Sequence, residues 1–284
     1  MNPANPKPSS AIAFIGGGNM ARSLIGGLLG AGGDAASIRV AEPVAALRDA
    51  LQADFDVQVF DDAVAAATDA QAAWVLAVKP QVMRQVCESL AELAQRQRPL
   101  VVSIAAGITS AQIERWLGGD VAVVRCMPNT PAVLGAGVTG LFANARVDAG
   151  QRDIAQTLLA SAGKTVWIDD ELLMDAVTAV SGSGPAYVFL LAEALQAAGE
   201  AEGLPADAAR ALTVQTLLGA ARMLDADDTP ASELRRRVTS PNGTTQAAIE
   251  SFERNGFRDI VARAVHAARV RGAELAADND RETR

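Results

Sequence analysis

In the first half of the chain the apolar positions fall into short β-branched runs, separated by longer alanine-rich stretches whose apolar residues recur at helical spacing. The runs predict strands over residues 11–15, 38–41, 57–60, 73–77, 100–103 and 121–126. The stretches predict helices over 20–29, 44–53, 81–95 and 110–117, each opened or closed by Gly, Pro, Asp or Ser. Repeated strand and helix alternation implies an α/β fold built on a Rossmann-type doubly wound parallel sheet. From about Leu172 the strand pattern stops, and helical spacing continues through 185–202, 205–225, 230–238, 244–255 and 257–277. The C-terminal part is therefore expected to be all helical. Gly203, Gly243 and Gly256 mark breaks in it, while Pro185, Pro205 and Pro230 suit first helical turns, where a missing N–H costs nothing. The organisation read from this is a flexible tail over 1–10, an α/β domain over 11–170 and a helical domain over 171–284.

Half of the 284 residues are hydrophobic but only 4% are aromatic, so the core has to be built from Ala, Val, Leu and Ile. So apolar a chain buries enough surface to offset its conformational entropy, which argues against disorder. The 25 basic and 33 acidic residues leave a net charge of -8, without the clustered cations that a nucleic-acid partner requires. Cys87 and Cys126 are too few for a disulfide framework and lack zinc-site spacing, so they read as reduced, buried thiols of a cytoplasmic protein without a metal. Residues 1–10 are polar with three prolines, unlike a secretory segment, and the apolar stretch 11–33 is broken by Asn19, Arg22 and several glycines. No membrane segment is expected.

Ile12-Ala13-Phe14-Ile15 followed by Gly16-Gly17-Gly18-Asn19-Met20-Ala21 reads as a strand, a tight turn of the form Gly-x-Gly-x-x-Ala and a helix start. Gly16 permits the turn, Gly18 lets backbone approach a pyrophosphate, and Ala21 keeps helix and strand close, so the free N–H groups of the helix can receive phosphates. A glycine triplet alone is a weak signal; its place at the first strand of an alternating series makes it a dinucleotide site. Glu42 ends the second strand 26 positions after Gly16, against about 20 for the acid that bonds a ribose 2'-hydroxyl. An acid there disfavours the extra phosphate of NADP, but a solvated turn residue before Pro43 is the equal alternative, and Arg39 nearby can meet a phosphate. Ala77-Val78-Lys79-Pro80 follows the fourth strand and Arg125-Cys126-Met127-Pro128-Asn129-Thr130-Pro131 the sixth, both at strand ends where ligands of open α/β sheets bind. The two prolines around Asn129-Thr130 make either a stiff wall for a nicotinamide ring or ordinary turn punctuation.

Hydride transfer to a carbonyl needs a proton donor, commonly His or Lys. The lysines, Lys7, Lys79 and Lys164, all lie outside the helical part; the single histidine, His266, reads as a plain residue near the end of the last helix, and Tyr187 as core. That lack points to a substrate bringing its own proton, as an iminium does, so that positioning supplies much of the rate. Residues 238–245, Val-Thr-Ser-Pro-Asn-Gly-Thr-Thr, combine hydroxyls with the free N–H groups of a following helix into a receptor sized for one carboxylate. A simple helix cap by Ser240 or Thr244 is the bland alternative.

Over nearly its whole length the chain resembles the pyrroline-5-carboxylate reductase family. The resemblance rests on the loop from Gly16 to Ala21, Ala77-Val78-Lys79-Pro80, Ser103-Ile104-Ala105-Ala106-Gly107, Met127-Pro128-Asn129-Thr130-Pro131, Ala179-Val180-Ser181-Gly182-Ser183-Gly184-Pro185-Ala186-Tyr187 and the run from Ser240 to Thr245. It implies reduction of the imine of pyrroline-5-carboxylate to L-proline, the last step of proline biosynthesis, by hydride from NADPH or NADH. It further implies that Thr245 hydrogen-bonds the ring-nitrogen region as the catalytic residue, that backbone at Gly243 and Thr244 holds the carboxylate, and that Ser240 and Glu171, or Asp170 in its place, lie near the substrate. Coenzyme contacts are expected at Gly16, Gly18, Asn19, Met20, Ala21, Glu42, Ala77, Val78, Lys79, Pro80, Ala105, Ala106, Met127, Pro128 and Asn129. Helical domains that interlock in homodimers, often assembled further into decamers, complete what the family implies.

Two positions depart from the family pattern. Asn242 stands where many members have glycine, and Asn accepts a left-handed backbone better than most residues. Arg237 stands where some members place an Asn near the coenzyme. The rival readings are a β-hydroxyacid dehydrogenase, which would carry a catalytic lysine in its helical domain, and a coenzyme-binding sensor without chemistry.

Overall fold

The computed structural model describes residues 11–281, so the expected tail over 1–10 lies outside the described residues. Two compact units emerge: Gly184–Ala267, and the described residues on either side of it. Residues 171–183 and 268–281 thus group with the α/β part, whereas the pattern of apolar positions put the change at 170/171.

The α/β unit runs β1 (Ile12–Ile15), α1 (Asn19–Gly30), β2 (Ile38–Ala41), α2 (Ala45–Phe55), β3 (Gln58–Phe60), α3 (Ala63–Ala67), β4 (Ala73–Leu76), α4 (Pro80–Gln97), β5 (Leu100–Ser103), α5 (Ser110–Trp116), β6 (Ala122–Met127), β7 (Gly137–Ala143), α6 (Ala149–Ala160), β8 (Gly163–Trp167) and α7 (Met174–Val177). The sheet order is β3-β2-β1-β4-β5-β6-β7-β8. Its first six strands are parallel, in the doubly wound order of dinucleotide-binding sheets. β7 returns antiparallel to β6, and β8 pairs parallel to β7, so the sheet is mixed rather than purely parallel.

Alternation along the strands divides the core. Trp74, Leu76, Val101 and Val123 pack with Met83, Leu90 and Ile113 on one face, while Phe14, Val40, Val75, Val102 and Val124 pack with Leu24, Ile25 and Leu158 on the other. Both faces are covered, as near-continuous apolar strands require. Local signals set several helix starts: Thr109 and Gln112 form a capping box on α5, Asp148 and Gln151 another on α6, and Pro80 opens α4.

The second unit holds α8 (Gly184–Ala201), α9 (Ala206–Ala226), α10 (Ala231–Arg237), α11 (Thr244–Arg254) and the start of α12 (Phe257–Arg281). Pro205 and Pro230 precede their helices by one residue, in the capping position rather than the first turn. His266 falls mid-helix and exposed, not near the helix end, and Tyr187 is half-buried rather than core. α8 has no buried residue; Phe189 (62% exposed) and Leu190 (66%) on it, with Leu212 on α9, leave apolar surface open on a single chain.

β7 and β8 escaped the sequence pattern because glycines interrupt them. Gly163 has φ +144°, and a Cβ there would lie 2.0 Å from the Gly137 carbonyl oxygen of the neighbouring strand. Gly119 has φ +88° with open space around it. Gly163→Ala should therefore cost at least about 3 kcal/mol, combining backbone strain with a backbone clash, against about 1 kcal/mol for Gly119→Ala. Urea midpoints at matched protein concentration check the order; equal losses would mean that the β7–β8 contact yields freely.

Candidate functional site

The fifteen expected coenzyme positions lie in the α/β unit, at the carboxyl ends of β1, β2, β4, β5 and β6, in the loops that follow them or in the first turns of α1 and α4. In sheet order these strands are consecutive, β2-β1-β4-β5-β6, with the topological switch between β1 and β4. Gly16 takes φ +107°, where a Cβ would lie 2.6 Å from the Ala77 carbonyl oxygen. The turn after β1 is thereby laid directly on the end of β4. Gly18 precedes α1 in extended conformation with no side-chain cap, and nothing lies within 4 Å of where its Cβ would be. A helix start both uncapped and unobstructed fits a pyrophosphate.

Glu42 is not the solvated turn residue that Pro43 suggested. It is 7% exposed, and its carboxylate accepts the Gly17 N–H at 3.1 Å and the Val44 N–H at 3.0 Å, so it braces the glycine turn. Arg39 is committed elsewhere: it donates to the carbonyls of Ala65 and Ala66 and to Gln58, and lies over the Phe60 ring. Lys79 is exposed at the start of α4, Ala105 is buried and Ala106 exposed.

Asn129 is 9% exposed and fully engaged. Its Nδ2 donates to the Ser181 carbonyl at 3.1 Å, and its Oδ1 accepts the Val138 N–H at 3.0 Å. A Cβ on Gly182 would meet Met127 Cε at 2.5 Å. Two motifs about fifty residues apart, Met127-Pro128-Asn129 and Ser181-Gly182-Ser183, are therefore in contact.

Glu171 lies in this same unit. Its carboxylate accepts the Ser110 N–H at 2.7 Å and the Ser110 hydroxyl at 2.6 Å, and lies 3.3 Å from Arg125. Neighbouring Asp170 caps the turn through the Leu172 N–H. Arg125, Ser110 and Asp175 carried no role in the sequence reading. The signal available there was a single cation inside the apolar run 121–127, which a buried strand tolerates only with a partner.

In the second unit, Ser240, Gly243, Thr244 and Thr245 enter α11. Gly243 caps the helix in extended conformation with no side-chain bond to the first-turn N–H groups, so the bland alternative of a Ser240 or Thr244 cap does not hold. Asn242 takes φ +59°, the left-handed backbone expected of it, and its N–H donates to Gln246 Oε1. Both threonines and Ser240 are exposed. The Gly243 N–H, expected to be free, donates to the Ser240 carbonyl at 3.1 Å, so the arrangement offers a small anion the N–H groups from Thr244 onward and three hydroxyls. Among the described residues, no group of three or more His, Cys, Asp or Glu is placed to hold a metal, and no helix is long and apolar enough to cross a membrane.

The family model for pyrroline-5-carboxylate reductase dimerisation matches residues 171–275, and the model for NADP oxidoreductase, coenzyme F420-dependent, matches residues 11–107. The chain is 54% identical to the pyrroline-5-carboxylate reductase of Pseudomonas aeruginosa over 265 residues, 93% of this chain and 96% of that one. The solved pyrroline-5-carboxylate reductase of Coxiella burnetii superposes with a TM-score of 0.91 at 42% identity, covering 94% of this chain and 99% of that one. The Plasmodium falciparum pyrroline carboxylate reductase, solved with NADP bound, superposes with a TM-score of 0.82 at 27% identity, covering 95% and 99%.

The glycine turn separates two effects that mutation can resolve. The Cβ that Gly18→Val adds meets nothing within 4 Å, so its melting temperature should stay within about 2 °C of the parent, while dinucleotide affinity falls at least about tenfold. Gly16→Ala should instead cost stability, by about 2 kcal/mol or more, through φ and the Ala77 carbonyl. Thermal melts with fluorescence titration check both, and parent-like affinity in Gly18→Val would place the dinucleotide elsewhere.

Proposed function

The chain belongs to the pyrroline-5-carboxylate reductase family, and from that premise we propose how its residues divide the work. It reduces pyrroline-5-carboxylate to proline with NAD(P)H. The coenzyme, when bound, supplies the hydride. The N–H groups at the start of α1 take its pyrophosphate, with Gly16, Gly18, Asn19, Met20 and Ala21 shaping the approach. Val78, Lys79 and Pro80 after β4, Ala105 and Ala106 after β5, and Met127, Pro128 and Asn129 after β6 line its further course to the nicotinamide.

Residues 171–284 act as the substrate-binding and dimerisation domain. The free N–H of Thr244 holds the carboxylate at the start of α11, the Gly243 N–H being already given to the Ser240 carbonyl at 3.1 Å; Ser240 flanks the anion, and the Thr245 hydroxyl orients the ring nitrogen. Hydride adds to the imine carbon, and the nitrogen, already protonated, becomes the amine of the product. The observation that carries this reading is the uncapped, exposed start of α11, which an ordinary cap would have closed. Neither rival is favoured: the helical domain has no lysine for a β-hydroxyacid dehydrogenase, and a sensor has no need of a carboxylate receptor.

The protein works as an oligomer through its dimerisation region. A homodimer is the unit we infer, supported by the open apolar surface of α8 and α9, with a decamer as the higher assembly. A cytoplasmic setting belongs to the same reading. Cys87 and Cys126 are unpaired and buried, and burial pushes the Cys87 thiol up to about 12 and Cys126 up as well, so neither is poised for oxidation.

Two variants test these roles. Thr245→Val keeps the shape and removes the hydroxyl; turnover of pyrroline-5-carboxylate should fall roughly 10- to 1000-fold with little change in coenzyme affinity, and Thr245→Ser should keep much of it. Parent-like turnover in the valine variant would reduce Thr245 to a structural residue. Glu42, in this reading, also faces the adenosine ribose and biases the enzyme toward NADH by repelling a 2'-phosphate. Glu42→Ser should raise the ratio of kcat/KM for NADPH to that for NADH about tenfold, and an unchanged ratio would leave Glu42 as a brace on the glycine turn alone.

A further inference from the structure

Arg125 lies at the end of β6 with its side chain 5% exposed. Strand alternation puts it on the same sheet face as Val123, the face that packs Trp74, Leu76 and Val101. A guanidinium there must be neutralised, and two carboxylates meet it, Glu171 at 3.3 Å and Asp175 at 3.4 Å. Glu171 is held in turn by the N–H and hydroxyl of Ser110, the first residue of α5.

Each anchor is a short step from a segment of the coenzyme edge. Arg125 is two residues before Met127, and Ser103, aligned with it across the β5–β6 register, opens the loop that carries Ala105 and Ala106. Ser110 closes that loop three residues after Gly107. Glu171 and Asp175 lead into residues 178–183, where Asn129 donates to Ser181. One ionic cluster thus ties together the ends of two neighbouring strands and the segment packed on them.

We propose that Arg125, Glu171, Asp175 and Ser110 form a buried ionic clamp that positions the loops 103–107 and 127–131 against the nicotinamide end of the coenzyme, and that Glu171 acts through Arg125 and Ser110 rather than on the substrate. The inference rests on the functional reading above and reassigns Glu171 from substrate contact to positioning residue. Two carboxylates share one guanidinium, so Asp175→Asn leaves a balanced pair, whereas Glu171→Gln also weakens the tie to α5.

The test measures reduced-coenzyme Kd by fluorescence without substrate, then kcat and KM for pyrroline-5-carboxylate, with thermal melts alongside. For Glu171→Gln the clamp requires kcat about 10- to 100-fold lower and coenzyme Kd several-fold higher, with KM for pyrroline-5-carboxylate within about twofold. Asp175→Asn should move the same parameters less. Ser110→Ala, which removes only a hydroxyl, should follow Glu171→Gln at smaller amplitude and decides the matter if Glu171→Gln fails to fold. A rise of tenfold or more in KM at unchanged coenzyme Kd would make Glu171 a substrate ligand and overturn the clamp; so would parent values throughout in Ser110→Ala. A parent protein that binds coenzyme but does not reduce pyrroline-5-carboxylate defeats the functional reading instead, while the coenzyme Kd of the variants still judges the clamp.

Discussion

Backbone laid on backbone without an intervening side chain is the constraint on which the coenzyme edge depends. Gly16 sets the turn after β1 against the Ala77 carbonyl at the end of β4, closer than any Cβ allows. That contact falls between the two strands where the chain reverses its winding direction, the crevice in which open α/β sheets bind ligands. The same device recurs where Gly163 meets the Gly137 backbone, while Gly182 and Gly140 instead make room for the side chains of Met127 and Val177. Glu42 braces the first of these turns by accepting the Gly17 N–H, so a residue at the end of β2 helps to shape the start of α1.

Legibility in the sequence follows from this. Most of the first six strands announce themselves as compact apolar runs buried on both faces, the short and partly exposed β3 being the exception, and periodicity finds such runs to within a residue or two. β7 and β8 do not, because glycines needed for close approach dilute the pattern, and β8 alternates exposure as an edge strand does. α3 is five residues long and α6 follows the unseen β7, so neither had a periodic frame to stand in. The family's dimerisation region begins at 171, as helical spacing does near 172, but spacing does not say which core a helix joins, and residues 171–183 group by contacts with the sheet.

Local motifs were readable: Gly16 to Ala21 and Ser240 to Thr245 each lead into a helix start that no side chain caps. The candidate site was unreadable where meaning comes from partners far apart in sequence. Glu42 looked like a turn acid until Gly17 and Val44 were seen to donate to it. Glu171 was read as facing the substrate on family resemblance, and only its partners Ser110 and Arg125 disclose the alternative. Arg125 was detectable in principle as a cation among apolar strand positions, but nothing in the sequence says that its counter-ions come 46 and 50 positions later.

A chain of net charge -8 that handles an anionic coenzyme and an anionic substrate has to capture them locally, against its own long-range field. Lysine is scarce, and the arginines of α10 are paired with acids: Arg236 and Arg237 with Glu233, and Arg235 with Glu253. The fold instead presents two glycine-led helix starts, α1 and α11, whose N–H groups no side chain caps. Such groups attract an anion through dipoles fixed by the helix itself, without a mobile counter-charge to desolvate. In the mechanism proposed above the iminium brings its own proton, so the reaction asks the helical domain for positioning rather than for a lysine acid.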